Sequence, residues 1–226
     1  MKLNHCFILF SALLSAAFAA EPVSFSTQWI PSKPEILTYR STSKQGDGLY
    51  QVSIARNDST IEIYMNIITN GFTKTVAGTM DFDLAPIGSV SRIFVHNQIS
   101  MDTRTSFEKT KLHISTKMMP YNREMKNDPE FSGRVFDFSQ NPLIPRVLDL
   151  SVKKEYSFQE LNPQTNQIGP LTVKVLGEET VKNIACYKVE MNDFEGRAFL
   201  WIEKGNMRRT IRIEQPESGR ISELIL

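Results

Sequence analysis

The chain is nearly without cysteine. Of its two, Cys6 lies in the first twenty residues and Cys186 stands alone in the rest, so no intramolecular disulfide is expected and stability has to come from packing. Histidine is almost as scarce. Beyond the N-terminal segment, His96, His113 and Cys186 are the nitrogen and sulfur ligands on offer, and no spacing among them matches a zinc site. Met118, Met119 and Met125 with His113 have the softness that Cu(I) favours but only loose spacing, so no metal and no cofactor is expected. No Gly-x-Ser-x-Gly elbow surrounds Ser100, Ser106 or Gly88-Ser89, and few bases are present to activate a nucleophile. Net charge is lacking too: 26 basic residues face 25 acidic ones, and removing Lys2 with the leader balances them, which speaks against nucleic acid as a partner. After the leader no run of about 18 apolar residues occurs, so a membrane-spanning helix is not expected.

What is present begins with an address. Lys2 is followed by an apolar run from Phe7 to Leu14 and by Ala17-Phe18-Ala19, the order of charge, short apolar core and small-residue cleavage site found in a secretory signal peptide. Cleavage after Ala19, with Ala17 and Ala19 as the small residues, leaves residues 20–226 as one exported domain. Cys6 precedes the apolar run, whereas a lipid-attachment cysteine would follow it. A short leader without disulfides fits a bacterial periplasm or exterior better than a eukaryotic route, in which Asn57-Asp58-Ser59 would be a glycosylation sequon.

The remainder alternates apolar and polar residues with period two, the mark of strands with one buried face. Tyr50, Val52 and Ile54 alternate with Gln51, Ser53 and Ala55; after Asn57-Asp58-Ser59, Ile61, Ile63, Met65 and Ile67 do the same. Asn70-Gly71 then predicts a type I′ turn into a strand over 72–80. Further strands are predicted over 89–97, 111–117, 134–138, 154–161, 171–176, 185–191, 197–203, 209–215 and 220–226. Links as short as Lys204-Gly205-Asn206 and Pro216-Glu217-Ser218-Gly219 admit antiparallel neighbours only. The predicted fold is all-β: a large curved antiparallel sheet, half-barrel or sandwich-like, of about ten to twelve strands. Asn141-Pro142 followed by Leu143, Ile144, Val147, Leu148 and Leu150 has helical spacing with Asn141 as N-cap, which predicts one short covering helix. A second is expected near 21–32, and residues 118–130 read as the longest polar loop.

The strands from Leu171 onward, with Cys186-Tyr-Lys-Val189, Phe199-Leu-Trp-Ile-Glu203, Arg209-Thr-Ile-Arg-Ile-Glu214 and the Gly219-Arg-Ile-Ser-Glu-Leu strand, resemble the closing strands of an exported bacterial domain-of-unknown-function family of the DUF3108 type. Asn141-Pro142-Leu143 through Leu150 resembles that family's central helix. Where relatives carry a Gly-Thr-Phe-like turn, this chain has Ile184-Ala185-Cys186. The resemblance implies an architecture similar to the curved sheets of lipoprotein carriers, which hold lipid in a concave apolar face; fold alone does not decide function.

Two readings of the apolar strands stay open. In Ala198-Phe199-Leu200-Trp201-Ile202 both faces are apolar, and Val135-Phe136 with Phe131 and Phe138 repeats the pattern, so such strands are covered on both sides. The covers are the helix and a folded-over sheet, or one side is an apolar pocket under a lid of Met118, Met119 and Met125 beside Tyr121, since methionine adapts to varied shapes. On the second reading Met118, Met119, Tyr121, Phe199 and Trp201 touch the ligand. The expected function is non-catalytic carriage of a lipid, acyl chain or lipoprotein anchor in the envelope. The alternative is an envelope assembly factor that recognises a protein through an open sheet edge. No catalytic residue is assigned, although Asp81, Asp83 and Asp137 form a conceivable carboxylate set. Lys204, Arg208, Arg209 and Arg212 form a candidate basic patch for docking anionic lipid or glycan.

Overall fold

The computed structural model describes residues 23–226 except 45, 152, 163 and 164. The leader, with Cys6, Ala17 and Ala19, lies outside the described residues. Among the described residues, fifteen strands form one sheet. The first eight are β1 (Glu35–Thr42), β2 (Gly48–Arg56), β3 (Ile61–Thr69), β4 (Phe72–Met80), β5 (Pro86–Val95), β6 (Gln98–Phe107), β7 (Leu112–Met118) and β8 (Arg123–Asn127). The rest are β9 (Val135–Asp137), β10 (Glu155–Asn162), β11 (Gln167–Val181), β12 (Ile184–Asp193), β13 (Gly196–Glu203), β14 (Thr210–Gln215) and β15 (Arg220–Leu224).

Two meanders meet where β1 pairs antiparallel with β15, Tyr39 opposite Leu224. The sheet therefore runs from β8 through β1 and β15 to β9, and only β9 pairs with its neighbour in parallel. The large curved antiparallel sheet stands as predicted, with more strands than expected. The strands not read from sequence are β1, β6 and β8; β8 replaces the middle of the expected loop over 118–130. β6 was hidden because Thr103 and Thr105 occupy its inward positions, buried opposite Ser91, Ser89 and Thr116. An inner face built of hydroxyls carries no apolar alternation.

The sheet curls until its ends meet. Ser89 Oγ on β5 donates to Asp137 Oδ2 at the end of β9 (2.9 Å), and Leu112, Ile114, Val135 and Leu161 form a small core there. Inside the curl, residues 135–148 are buried apart from half-buried Pro142. The expected helix over 141–150 shrinks to a 3₁₀ turn (Phe138–Gln140) and one α turn, α1 (Ile144–Val147). Asp137 caps the 3₁₀ turn, accepting from Ser139 N–H while Gln140 reaches back to the Asp137 N–H, and Asn141 ends that turn rather than starting a helix. Tertiary donors take the carbonyls a longer helix would use: Ser26 N–H binds the Val147 carbonyl (2.8 Å), and Arg208 Nη1 those of Arg146 (3.0 Å) and Leu148 (2.6 Å). Arg146, buried itself, pairs with Glu35 (2.8 Å) beneath the Trp29 ring.

No helix forms in the described part of 21–32. Residues 23–32 instead close one end of the curl, with Ile30 in the core. The Asn70-Gly71 turn also differs from expectation: Gly71 alone has positive φ (73°), whereas type I′ needs it at both positions. That geometry occurs at His96-Asn97 and Lys182-Asn183.

Candidate functional site: an apolar cavity with a polar floor

Opposite the closed end, the hairpin turns linking β1 to β2, β3 to β4, β12 to β13 and β14 to β15 surround a mouth. Within it lies a cavity of about 100 Å³. Inward residues of facing strands line it, among them Tyr50, Met65, Ile67, Met191 and Leu200, with Phe138 from the inner segment. Tyr50 is fixed by stacking on Tyr39 (ring centroids 5.3 Å) and by its hydroxyl on Met65 Sδ (3.6 Å). The cavity continues outward into a depression of about 630 Å³ that shares Ile67, Thr69, Glu195, Gln215 and Arg220 with it.

One side of the cavity is polar. Asn141, its amide held by the end of the 3₁₀ turn, donates through Nδ2 to Glu160 Oε1 (2.7 Å) and Asp193 Oδ2 (2.9 Å). Its own Oδ1 and Glu160 Oε2 are buried without a hydrogen-bond partner, a costly arrangement for groups removed from water. Burial, reinforced by the negative Asp193, pushes the Glu160 carboxyl up to about 8; burial and the neighbouring Glu195 push Asp193 up to about 6. Burial also raises Asp137. A buried cation, Lys74, lies beside them, binding Glu195 (3.1 Å) and sitting 4.0 Å from the centre of the Phe138 ring. At neutral pH the floor is therefore a set of hydrogen-bonding groups with part of its charge suppressed by protonation.

The five residues expected to touch a ligand are not brought together. Met118, Met119 and Tyr121 sit at the β7–β8 turn, where Met119 and Tyr121 are exposed, and none of the three lines the cavity. Phe199 and Trp201 share the face of β13 opposite to Leu200. Trp201 donates to Glu179 Oε2 (2.7 Å) and is covered by Lys188 and Arg212, so the ring is sealed by charged side chains on the outside of the sheet. The cavity residue of that strand is Leu200. The signal that would have found the floor is charge in the apolar phase of a strand: Lys74 falls in step with Val76, and Glu160 with Tyr156 and Phe158.

Other candidates are otherwise engaged. Asp81 holds a turn, accepting from Asp83 N–H (2.9 Å) and Ala85 N–H (2.8 Å), while Asp137 is buried against Ser89 and Ser139. His113 lies between Asp128 (3.0 Å) and Glu108 (3.2 Å) on the surface; the Asp128 hydrogen bond raises its pKa. Cys186 is buried. Lys204 pairs with Glu178, Arg209 with Glu203, Arg212 with Glu214 and Glu223, and Arg208 with inner carbonyls. Among the described residues no cluster of three or more histidines, cysteines or carboxylates is arranged to hold a metal ion, and no helix is long and apolar enough to cross a membrane.

No family model matches the chain, and no curated protein matches it. A crystal structure of a beta-barrel-like protein of domain of unknown function DUF1849 from Brucella abortus is similar in fold, with a TM-score of 0.59 and 12% identity over 87% of this chain and 97% of that one. The likeness shows the fold alone, an all-β, beta-barrel-like architecture shared with a bacterial domain of unknown function, and it gives no specific support to the DUF3108 resemblance.

Proposed function

We propose that this chain is an exported, non-catalytic envelope protein that holds an apolar molecule, a lipid or acyl chain, by its end. The observation that carries this reading is the cavity lined by Tyr50, Met65, Met191 and Leu200 and open at the mouth of the curl. Its volume is below the ~150 Å³ that accommodates benzene in an engineered protein cavity, so the enclosed part suits a chain terminus while the rest of the molecule lies in the depression outside. The fold similarity to a beta-barrel-like protein is compatible with ligand binding and supports no particular ligand. The assembly-factor reading has weaker support, because the open edge strand β8 is Arg-Glu-Met-Lys-Asn with four of five residues exposed, a charged edge that resists strand addition.

Native mass spectrometry with organic extraction, on the chain exported to a bacterial periplasm and purified without detergent, tests the proposal. Wild type should carry lipid. Ala198→Phe, which fills the cavity from the inward face of β13, should retain its thermal transition and lose most of that lipid. Lipid-free wild type, or equal lipid on the folded variant, overturns it.

A further inference from the structure

The strand ends around the mouth are apolar on both sides of the wall. On the outside, the register of β2 to β6 aligns Leu49, Ile68, Thr73, Phe94 and Ile99 in one row, of which Leu49 and Ile68 also border the cavity at its mouth. Leu49, Ile68 and Ile99 are 44%, 41% and 38% exposed, although exposed apolar residues on a soluble protein's surface are normally scattered singly. On the inside, Phe72 pairs with Val95 at the lip, both exposed as well, and Ile67 and Ile93 follow within the depression. The next outer row toward the closed end is Gln51, Asn66, Thr75, Arg92 and Asp102, wholly polar. The boundary lies at the same height on β2, β3, β5 and β6, while β4 places a threonine in each row.

A flat protein partner could cover one face of this wall, but not both faces of the same strand ends. Immersion in an apolar medium covers both at once. We infer that the β2–β6 lip is a membrane-docking edge that dips into the interfacial region of a lipid bilayer. The apolar rim is about two residues deep, which at about 3.3 Å per residue is close to 7 Å, within the ~5–10 Å reached by interfacial amphipathic elements. Charges near the mouth are mixed, Arg40, Lys44, Lys74 and Arg220 against Asp47, Glu195 and Glu217, so apolar insertion rather than headgroup charge drives the contact. The inference goes beyond ligand carriage and does not depend on it.

Flotation of the whole chain with vesicles of phosphatidylcholine, and of phosphatidylethanolamine with phosphatidylglycerol, tests it. The protein should float with both, and Leu49→Ser/Ile68→Ser/Ile99→Ser should bind at least about tenfold more weakly with an unchanged melting transition, given what exposing three such side chains costs. Because the N-terminal apolar run could also bind vesicles, a second measurement is positional. The emission that Ile99→Trp adds to that of Trp29 and Trp201 should be quenched by brominated lipid, while that added by a tryptophan at Ile87, at the β4–β5 end of the sheet, should not. Absence of wild-type flotation, equal binding by the triple variant, or an unquenched Ile99→Trp each overturns the inference.

Discussion

Glu160 shows how one residue ties the floor of the cavity to stability. It is completely buried, and Asn141 satisfies one oxygen while the other has no partner. Its carboxyl, ordinarily near 4.5, sits at about 8, so between those values the folded chain binds a proton that the unfolded chain has released. Stability then falls as pH rises from about 4.5 to about 8 and levels off above, because ionising the buried group costs free energy that unfolding avoids. Glu160→Gln keeps an oxygen for Asn141 and removes the ionisation. Its melting temperature should exceed that of wild type by several degrees at pH 8, reflecting a few kcal/mol, and the difference should shrink toward pH 5. Thermal melts across that range check this; parallel curves for the two proteins would show that Glu160 is not the titrating group. In the sequence this residue was one glutamate in a predicted strand, since what perturbs it comes from residues 141 and 193, on other elements.

At the scale of elements, the inner segment 135–150 decides what the sheet encloses. Its apolar positions were legible and their burial follows from them, but their helical spacing misled because hydrogen-bond partners from residues 26 and 208 replace the intrahelical ones. Strands with inward Val, Ile and Met were legible by alternation; β6, with inward threonines, was not. The segment crosses β4 at one close contact. A Cβ on Gly78 would overlap Ser139 Oγ and lie 2.6 Å from Ser139 Cβ, so the glycine is there for approach rather than for a turn. Gly78→Ala should cost about 1–3 kcal/mol by overpacking, lowering the melting temperature by several degrees, and Gly78→Ala/Ser139→Gly should recover part of that loss. A variant as stable as wild type would mean that the inner segment is free to shift away from β4.

For the molecule as a whole, the ladder order was readable from turn lengths, whereas the curl that makes a container of it was expected only through the family resemblance, because no hydrogen-bonded pairing records it. The two ends of the sheet are held by side chains. Leu161 on β10 packs with Leu112 and Ile114 on β7 and with Val135, and Ser89 reaches Asp137 across the same gap. A seam of this kind should open before the ladders do, since fewer and less cooperative contacts hold it. Leu161→Ala, which leaves a hole at a fully buried site, should cost about 2–5 kcal/mol. Its effect should also be local: hydrogen exchange in β7 and β8 should quicken by about tenfold or more, while the β1–β15 junction, paired by backbone hydrogen bonds on both flanks, keeps its protection. Exchange read by mass spectrometry distinguishes this from the alternative. If protection falls equally in every strand, the seam is part of one cooperative unit, and a ligand entering the mouth could not loosen one side of the wall without unfolding the whole.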